Sequence, residues 1–137
     1  MRNLVVLVVD SSALIIERWQ NILSETENIK LVYGAVAYND ASVLYKEVKP
    51  NVVLLDGDLP GTMSMDLLKE FKASSEESTV IVLANNADNY VEEKCKLFGA
   101  DYFFDKYNDF EKIPAFISAN AIHNRNSTKI LIQEKPQ

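Results

Sequence analysis

A chain of 137 residues is enough for one domain with an ordinary core, and its 47% hydrophobic and 25% charged residues exclude a disordered chain. The formal charge of −6, with Arg2, Arg18 and Arg125 far apart, argues against a nucleic-acid surface, which needs clustered cations. A lone cysteine, Cys95, excludes an internal disulfide, and no segment reaches the ~20 apolar residues of a membrane span.

The apolar start, Met1 to Val9, is interrupted by Asp10, and no small-residue cleavage site follows a long enough run, so the expected location is cytoplasmic. Residues 4–9 (Leu-Val-Val-Leu-Val-Val) form a continuous apolar run rich in β-branched valine, the pattern of a central strand covered on both faces. Residues 12–24 have helical spacing, with Leu14, Ile15, Trp19, Ile22 and Leu23 mostly on one side. Leu31 to Ala37 reads as a second strand, weakened by Gly34. Asp40 is placed to cap a helix that runs to about Val48 and stops before Pro50.

The third strand is 52–56, and Leu67, Leu68 and Phe71 mark the helix after it. A polar run, Ser74 to Ser78, separates that helix from a fourth strand, Val80 to Leu83. A fourth helix covers about 88–98 and ends at Gly99, a common C-terminal cap. Cys95 falls within it and is expected to pack as a small apolar residue. Tyr102-Phe103-Phe104 lead to Lys106, and a last helix spans about 109–122, with Pro114 tolerable only near its start.

Strict alternation of strands and helices predicts an α/β fold. The expected form is a flavodoxin-like (βα)5 three-layer sandwich whose five-stranded parallel sheet has order 2-1-3-4-5. The domain is taken as residues 1–122, followed by a polar tail, 123–137, around Ile130-Leu131-Ile132.

In such a sheet, ligands sit at the carboxyl ends of the strands. Asp10 ends the first strand, Asp56 the third, Ala84-Asn85-Asn86 follow the fourth, and Lys106 ends the fifth. Strands one and three are neighbours in the predicted order, so Asp10 and Asp56 should lie close, with Lys106 reaching toward them. Two unit charges ~4 Å apart repel by roughly 4 kcal/mol at an effective dielectric of 20. A lysine or a hard divalent cation relieves this, and Mg²⁺ typically takes one or two carboxylates plus waters. Taken singly, each residue has a plainer reading: Asp10 as a helix cap, Asp56 and Asp58 as turn residues before Pro60-Gly61, Lys106 as a solvated strand end. Their coincidence at strand ends favours a site.

Three motifs carry a resemblance: Val8-Val9-Asp10, Leu54-Leu55-Asp56-Gly57-Asp58-Leu59-Pro60-Gly61, and Gly99-Ala100-Asp101-Tyr102-Phe103-Phe104-Asp105-Lys106. In these the chain resembles a response-regulator receiver domain of two-component signalling, over residues 3 to about 122. The resemblance implies a single-domain receiver phosphorylated on Asp56 by a histidine kinase or phosphotransfer protein. Asp10, Asp56 and Asp58 would hold Mg²⁺, and Lys106 would contact the phosphoryl group. Such a chain is a phosphoacceptor rather than an enzyme, beyond self-catalysed phosphorylation and dephosphorylation. It would signal to an output protein by contact, through a surface that includes Tyr90, Phe103 and Phe110. Neither nucleic acid nor membrane is an implied partner, and a homodimer stays open.

The departures from the family pattern bear on function. Ser11 replaces an acidic metal ligand, so Mg²⁺ should bind weakly. Ala84 replaces a Thr or Ser whose hydroxyl bonds the phosphoryl group, at a loss of about 1.5–3 kcal/mol. Ser64 stands where glycine is frequent. Ser11 and Ala84 keep a second reading in play, a pseudo-receiver that binds partners without phosphorylation. A more distant alternative, a haloacid-dehalogenase-type phosphatase, rests on the Asp56-Gly57-Asp58 spacing alone. It conflicts with Pro60 and with the motif's place on the third strand.

Overall fold

The computed structural model describes residues 3–74, 77–85 and 89–120. Five strands, β1 (Leu4–Val9), β2 (Ile29–Ala35), β3 (Val52–Asp56), β4 (Thr79–Ala84) and β5 (Tyr102–Asp105), form one parallel sheet in the order β2-β1-β3-β4-β5. The helices are α1 (Ala13–Ser24), α2 (Tyr38–Val48), α3 (Met63–Ser74), α4 (Asn89–Leu97) and α5 (Ile113–Asn120). None of the described helices is long and apolar enough to cross a membrane. The predicted α/β sandwich and its strand order are what the chain adopts.

Side-chain alternation along the strands divides the core in two. Leu7, Val9, Val53, Leu55, Val80 and Val82 pack with Ala41 and Tyr45 of α2, Leu67, Leu68 and Phe71 of α3, and Cys95 of α4. On the other face Val6, Val8, Val52, Leu54, Ile81 and Leu83 meet Ile16, Trp19 and Leu23 of α1 and Ile113 and Ile117 of α5. Both faces are covered, so the central strands read as unbroken apolar runs.

Several boundaries differ from expectation, each for a local reason. Strand β2 spans Ile29–Ala35 rather than 31–37, because its pairing with β1 ends at Val9↔Ala35. Gly34 does not weaken it; a Cβ there would collide with Ile16 Cγ2, so glycine is what lets α1 lie against this strand. Helix α2 starts at Tyr38 after an extended Ala37, with no side-chain cap. Asp40 sits in its first turn instead, where a carboxylate complements the helix dipole. Helix α1 is capped by Ser12, whose Oγ accepts the Ile15 N–H at 3.3 Å.

The last helix is preceded by a 3-10 turn, Phe110–Lys112, and Pro114 is its second residue, where no N–H is required. Gly99 follows α4 at φ +109°, a conformation suited to glycine. Residue 88 at the predicted start of the fourth helix, Asn86, residues 121–122, the domain boundary at 122 and the tail 123–137 lie outside the described residues.

Candidate functional site

The register of the sheet brings the site together. Val9 pairs with Leu55 across β1 and β3, so the next pair along the two chains is Asp10 beside Asp56. Both continue the alternation of Val6, Val8, Val52 and Leu54, the residues facing α1 and α5. Lys106 follows Tyr102 and Phe104 on β5 with the same parity, and those aromatics also pack on that face. The three charged side chains therefore project to one side of one sheet edge. All are buried, at 3%, 3% and 7% exposure for Asp10, Asp56 and Lys106.

Lys106 Nζ lies 2.8 Å from Asp10 Oδ2 and 3.4 Å from Asp56 Oδ1, a single cation between two carboxylates. This rules out a solvated lysine. Asp10 is not the helix cap; its Oδ1 accepts the Ser12 N–H at 2.9 Å, which turns the chain into α1. Burial raises the pKa of Asp56 above the usual carboxylate value. The hydrogen bond from the Asp58 N–H opposes that rise, Asp10 adds to it, and Lys106 reduces it. For Lys106 burial works to lower the pKa, but its hydrogen bond to Asp10 and the charges of Asp56 and Asp10 prevail, leaving it raised.

The loop after β3 is tightly bonded. Asp56 Oδ1 accepts the Asp58 N–H at 2.8 Å. The Gly57 N–H donates to the Leu83 carbonyl at 2.7 Å, and a Cβ on Gly57 would stand 2.9 Å from Val82 Cγ1 and 3.2 Å from Ala84 Cβ, so a side chain there would press on β4. The buried Ser64 Oγ donates to the Asp56 carbonyl at 2.8 Å and accepts the Leu59 N–H at 3.2 Å. Sequence reading marked Ser64 only as a departure from glycine; its role in the loop depends on α3 folding back under Asp56.

Asp58 is exposed, and its carboxylate accepts the Asn85 N–H at 2.7 Å. Ser11 is exposed. Ala84 is buried, its carbonyl accepting the Lys106 N–H at 3.0 Å. Among the described residues no set of three or more His, Cys, Asp or Glu side chains is arranged to hold a metal ion.

The aromatic residues assigned to an output surface divide. Tyr90 on α4 is 69% exposed, with Lys94 Nζ 5.4 Å above its ring. Phe103 packs against the core beneath α2, α3 and α4. The Phe110 ring centroid lies 4.2 Å from that of Trp19, and the Arg18 guanidinium sits 4.5 Å from the centroid of the Phe110 ring, so Phe110 is a packing residue of the α1 face.

A family model for the response regulator receiver domain matches residues 6–118. The chain belongs to this family. Among curated relatives, the transcriptional regulatory protein MalR of Bacillus subtilis (strain 168) is 27% identical over 113 residues, which cover 82% of this chain and 48% of MalR. The DNA-binding transcriptional activator EvgA of Escherichia coli (strain K12) is 23% identical over 113 residues, covering 82% of this receiver and 55% of EvgA. The receiver thus spans about half the length of these relatives.

Two solved structures share its fold. A LuxR-family two-component response regulator from Aurantimonas sp. SI85-9A1 aligns with a TM-score of 0.79 at 19% identity, covering 96% of this chain and 94% of that one. The response regulator domain of Thermotoga maritima CheB aligns at 0.76 and 22% identity, covering 92% and 98%.

Proposed function

We propose that Asp56 of this receiver accepts a phosphoryl group from a histidine kinase, a phosphotransfer protein or a small phosphodonor, and that the changed state is passed on by protein–protein contact. The observation that carries this reading is the buried pairing of Lys106 with both Asp10 and Asp56 at the carboxyl edge of the sheet. Burying two carboxylates is costly, and one lysine offsets only part of that cost. A site that keeps both is organised around charge that changes.

In the reaction an Asp56 carboxylate oxygen attacks phosphorus, and a P–O bond forms as the donor's P–N bond breaks. The electron pair leaves with the imidazole nitrogen, or with acetate oxygen when acetyl phosphate is the donor. Lys106 stays beside the reacting carboxylate and offsets the negative charge that the phosphoryl oxygens bring to the site, the kind of electrostatic contribution that dominates such transfers. Gly57 lets the loop after β3 lie against β4, where a side chain would press on Val82 and Ala84, and the Asp58 N–H holds one carboxylate oxygen in place.

Members of the family typically bind Mg²⁺ at the acidic pocket. Asp10 and Asp56 fit that ion as two hard oxygen donors gathered around one point, and waters would complete its shell. Asp58 commits one carboxylate oxygen to the Asn85 N–H, and Ser11 offers a neutral oxygen in place of an acid. Bound there, the ion would neutralise charge on the phosphoryl oxygens. The donor set is poorer in charge than three acids, which supports weak binding.

Ala84 and Ser11 favour a second reading, a receiver fold that binds its partner without phosphorylation. Intact mass after incubation with acetyl phosphate and Mg²⁺ separates the two. One phosphoryl adduct, absent from Asp56→Asn and from a metal-free sample, is the result expected for a phosphoacceptor. Absence of any adduct across Mg²⁺ concentrations would decide for the phosphorylation-independent module.

A further inference from the structure

The loops after β3 and β4 meet at a hydrogen bond between a side chain and a backbone amide. The Asn85 N–H donates to Asp58 Oδ2 at 2.7 Å, and the Asp58 N–H donates to Asp56 Oδ1 at 2.8 Å. Two bonds, both made by Asp58, therefore run from the buried acceptor carboxylate to the residue that follows β4. Ala84, the last residue of β4, has no side-chain group that could make such a link.

The position held by this link is one that Asn85 does not favour. Its Oδ1 is buried and has no hydrogen-bond partner among the described residues. An unmet buried acceptor carries a free-energy cost, which is relieved once the residue moves and its carboxamide reaches water. Asp58 itself carries a negative charge two residues from Asp56. More negative charge at Asp56, as a phosphoryl group supplies, acts on the Asp58 carboxylate by repulsion.

We propose that Asp58 is a positioning residue that couples the charge at Asp56 to the β4–α4 connection, gripping the Asn85 amide when that charge is low and releasing it when the charge grows. Its meaning for signalling rests on the phosphoacceptor reading, but the coupling itself exists whether or not Asp56 is ever phosphorylated. The experiment below therefore uses no phosphodonor, and the two proposals fail separately.

The measurement is amide hydrogen exchange of Asn85 by NMR on the full chain, in metal-free buffer at one pH. It compares wild type, Asp56→Asn, Asp58→Asn and the double variant. Each rate is taken relative to the Asn51 N–H, which bonds the Val5 carbonyl at the opposite sheet edge and reports overall stability. Removing the Asp56 charge should slow Asn85 exchange about fivefold, the effect of one unit charge a few ångströms away in near-aqueous surroundings. Asp58→Asn should speed it and abolish its dependence on residue 56. The proposal is overturned by an Asn85 rate that is the same with Asp or Asn at position 56. It is equally overturned by a dependence on residue 56 that survives in the Asp58→Asn background.

Discussion

Ser64, at the start of α3, hydrogen-bonds the backbone carbonyl of Asp56 at 2.8 Å while accepting the Leu59 N–H at 3.2 Å. One buried hydroxyl thus satisfies a carbonyl and an amide of the loop that carries the acceptor. Without it both backbone groups would need other partners in a place that water does not reach.

Ser64→Ala should therefore destabilise the fold by about 1–3 kcal/mol, the cost of leaving buried polar groups unpaired. Urea unfolding followed by Trp19 fluorescence would measure it. Phosphorylation of Asp56 should slow as well, because the carbonyl that orients the loop is no longer held. An unchanged unfolding midpoint would show that the loop is fixed by its other bonds.

Asp56→Asn should stabilise the protein at neutral pH, on the order of 1 kcal/mol, by removing a buried charge while Lys106 keeps Asp10 as its partner. The pH dependence follows from the raised pKa of Asp56. Its folded-state value lies above its unfolded one, so the folded state binds the proton more tightly. That contribution is present below the ordinary Asp pKa of about 3.9 and is lost as pH rises through the folded value. The advantage of the Asn variant should accordingly be small near pH 3–4 and larger at pH 7, and unfolding curves at the two pH values test this directly.

Lys106→Met leaves two buried carboxylates facing each other without a cation and should cost about 3–5 kcal/mol at pH 7. Acidification should recover part of the loss as one carboxylate takes up a proton. In the native protein the sign is the same as for Asp56, since both folded-state pKa values are raised, and only the pH window differs. The raised pKa of Lys106 adds stability that is complete below about 10.4 and fades as pH climbs through the folded value. Thermal melts of wild type and variant from pH 5 to 11 would show both trends.

Restoring the two missing groups should separate their roles. Ser11→Asp should tighten Mg²⁺ binding about tenfold or more, read by calorimetric titration, since a charged oxygen replaces a neutral one. Ala84→Ser should raise the yield of acetyl phosphate modification at fixed Mg²⁺ by about tenfold, from a hydrogen bond to a charged group. Equal metal affinity in wild type and Ser11→Asp would show that position 11 does not reach the ion.

Cys95 should be inert toward thiol reagents in the native protein at pH 8 and react at once in urea. It is fully buried, and burial, followed by the Glu92 charge, pushes its pKa up to about 11. Fast native labelling would mean that α4 opens readily.

The sequence alone carried the architecture, because alternating apolar runs and helical stripes are local patterns and strands buried on both faces leave no other layering. It also named Asp10, Asp56 and Lys106, since strand ends can be read from where an apolar run stops. Tertiary structure decided what those residues touch: the β1–β3 register sets Asp10 beside Asp56, and β5 delivers Lys106 between them. It also turned the Asp58 carboxylate to Asn85, put Ser64 beneath Asp56, and moved Phe110 onto Trp19. Those contacts join residues from different loops. Their geometry depends on how separate elements pack, and no periodicity within one segment encodes it.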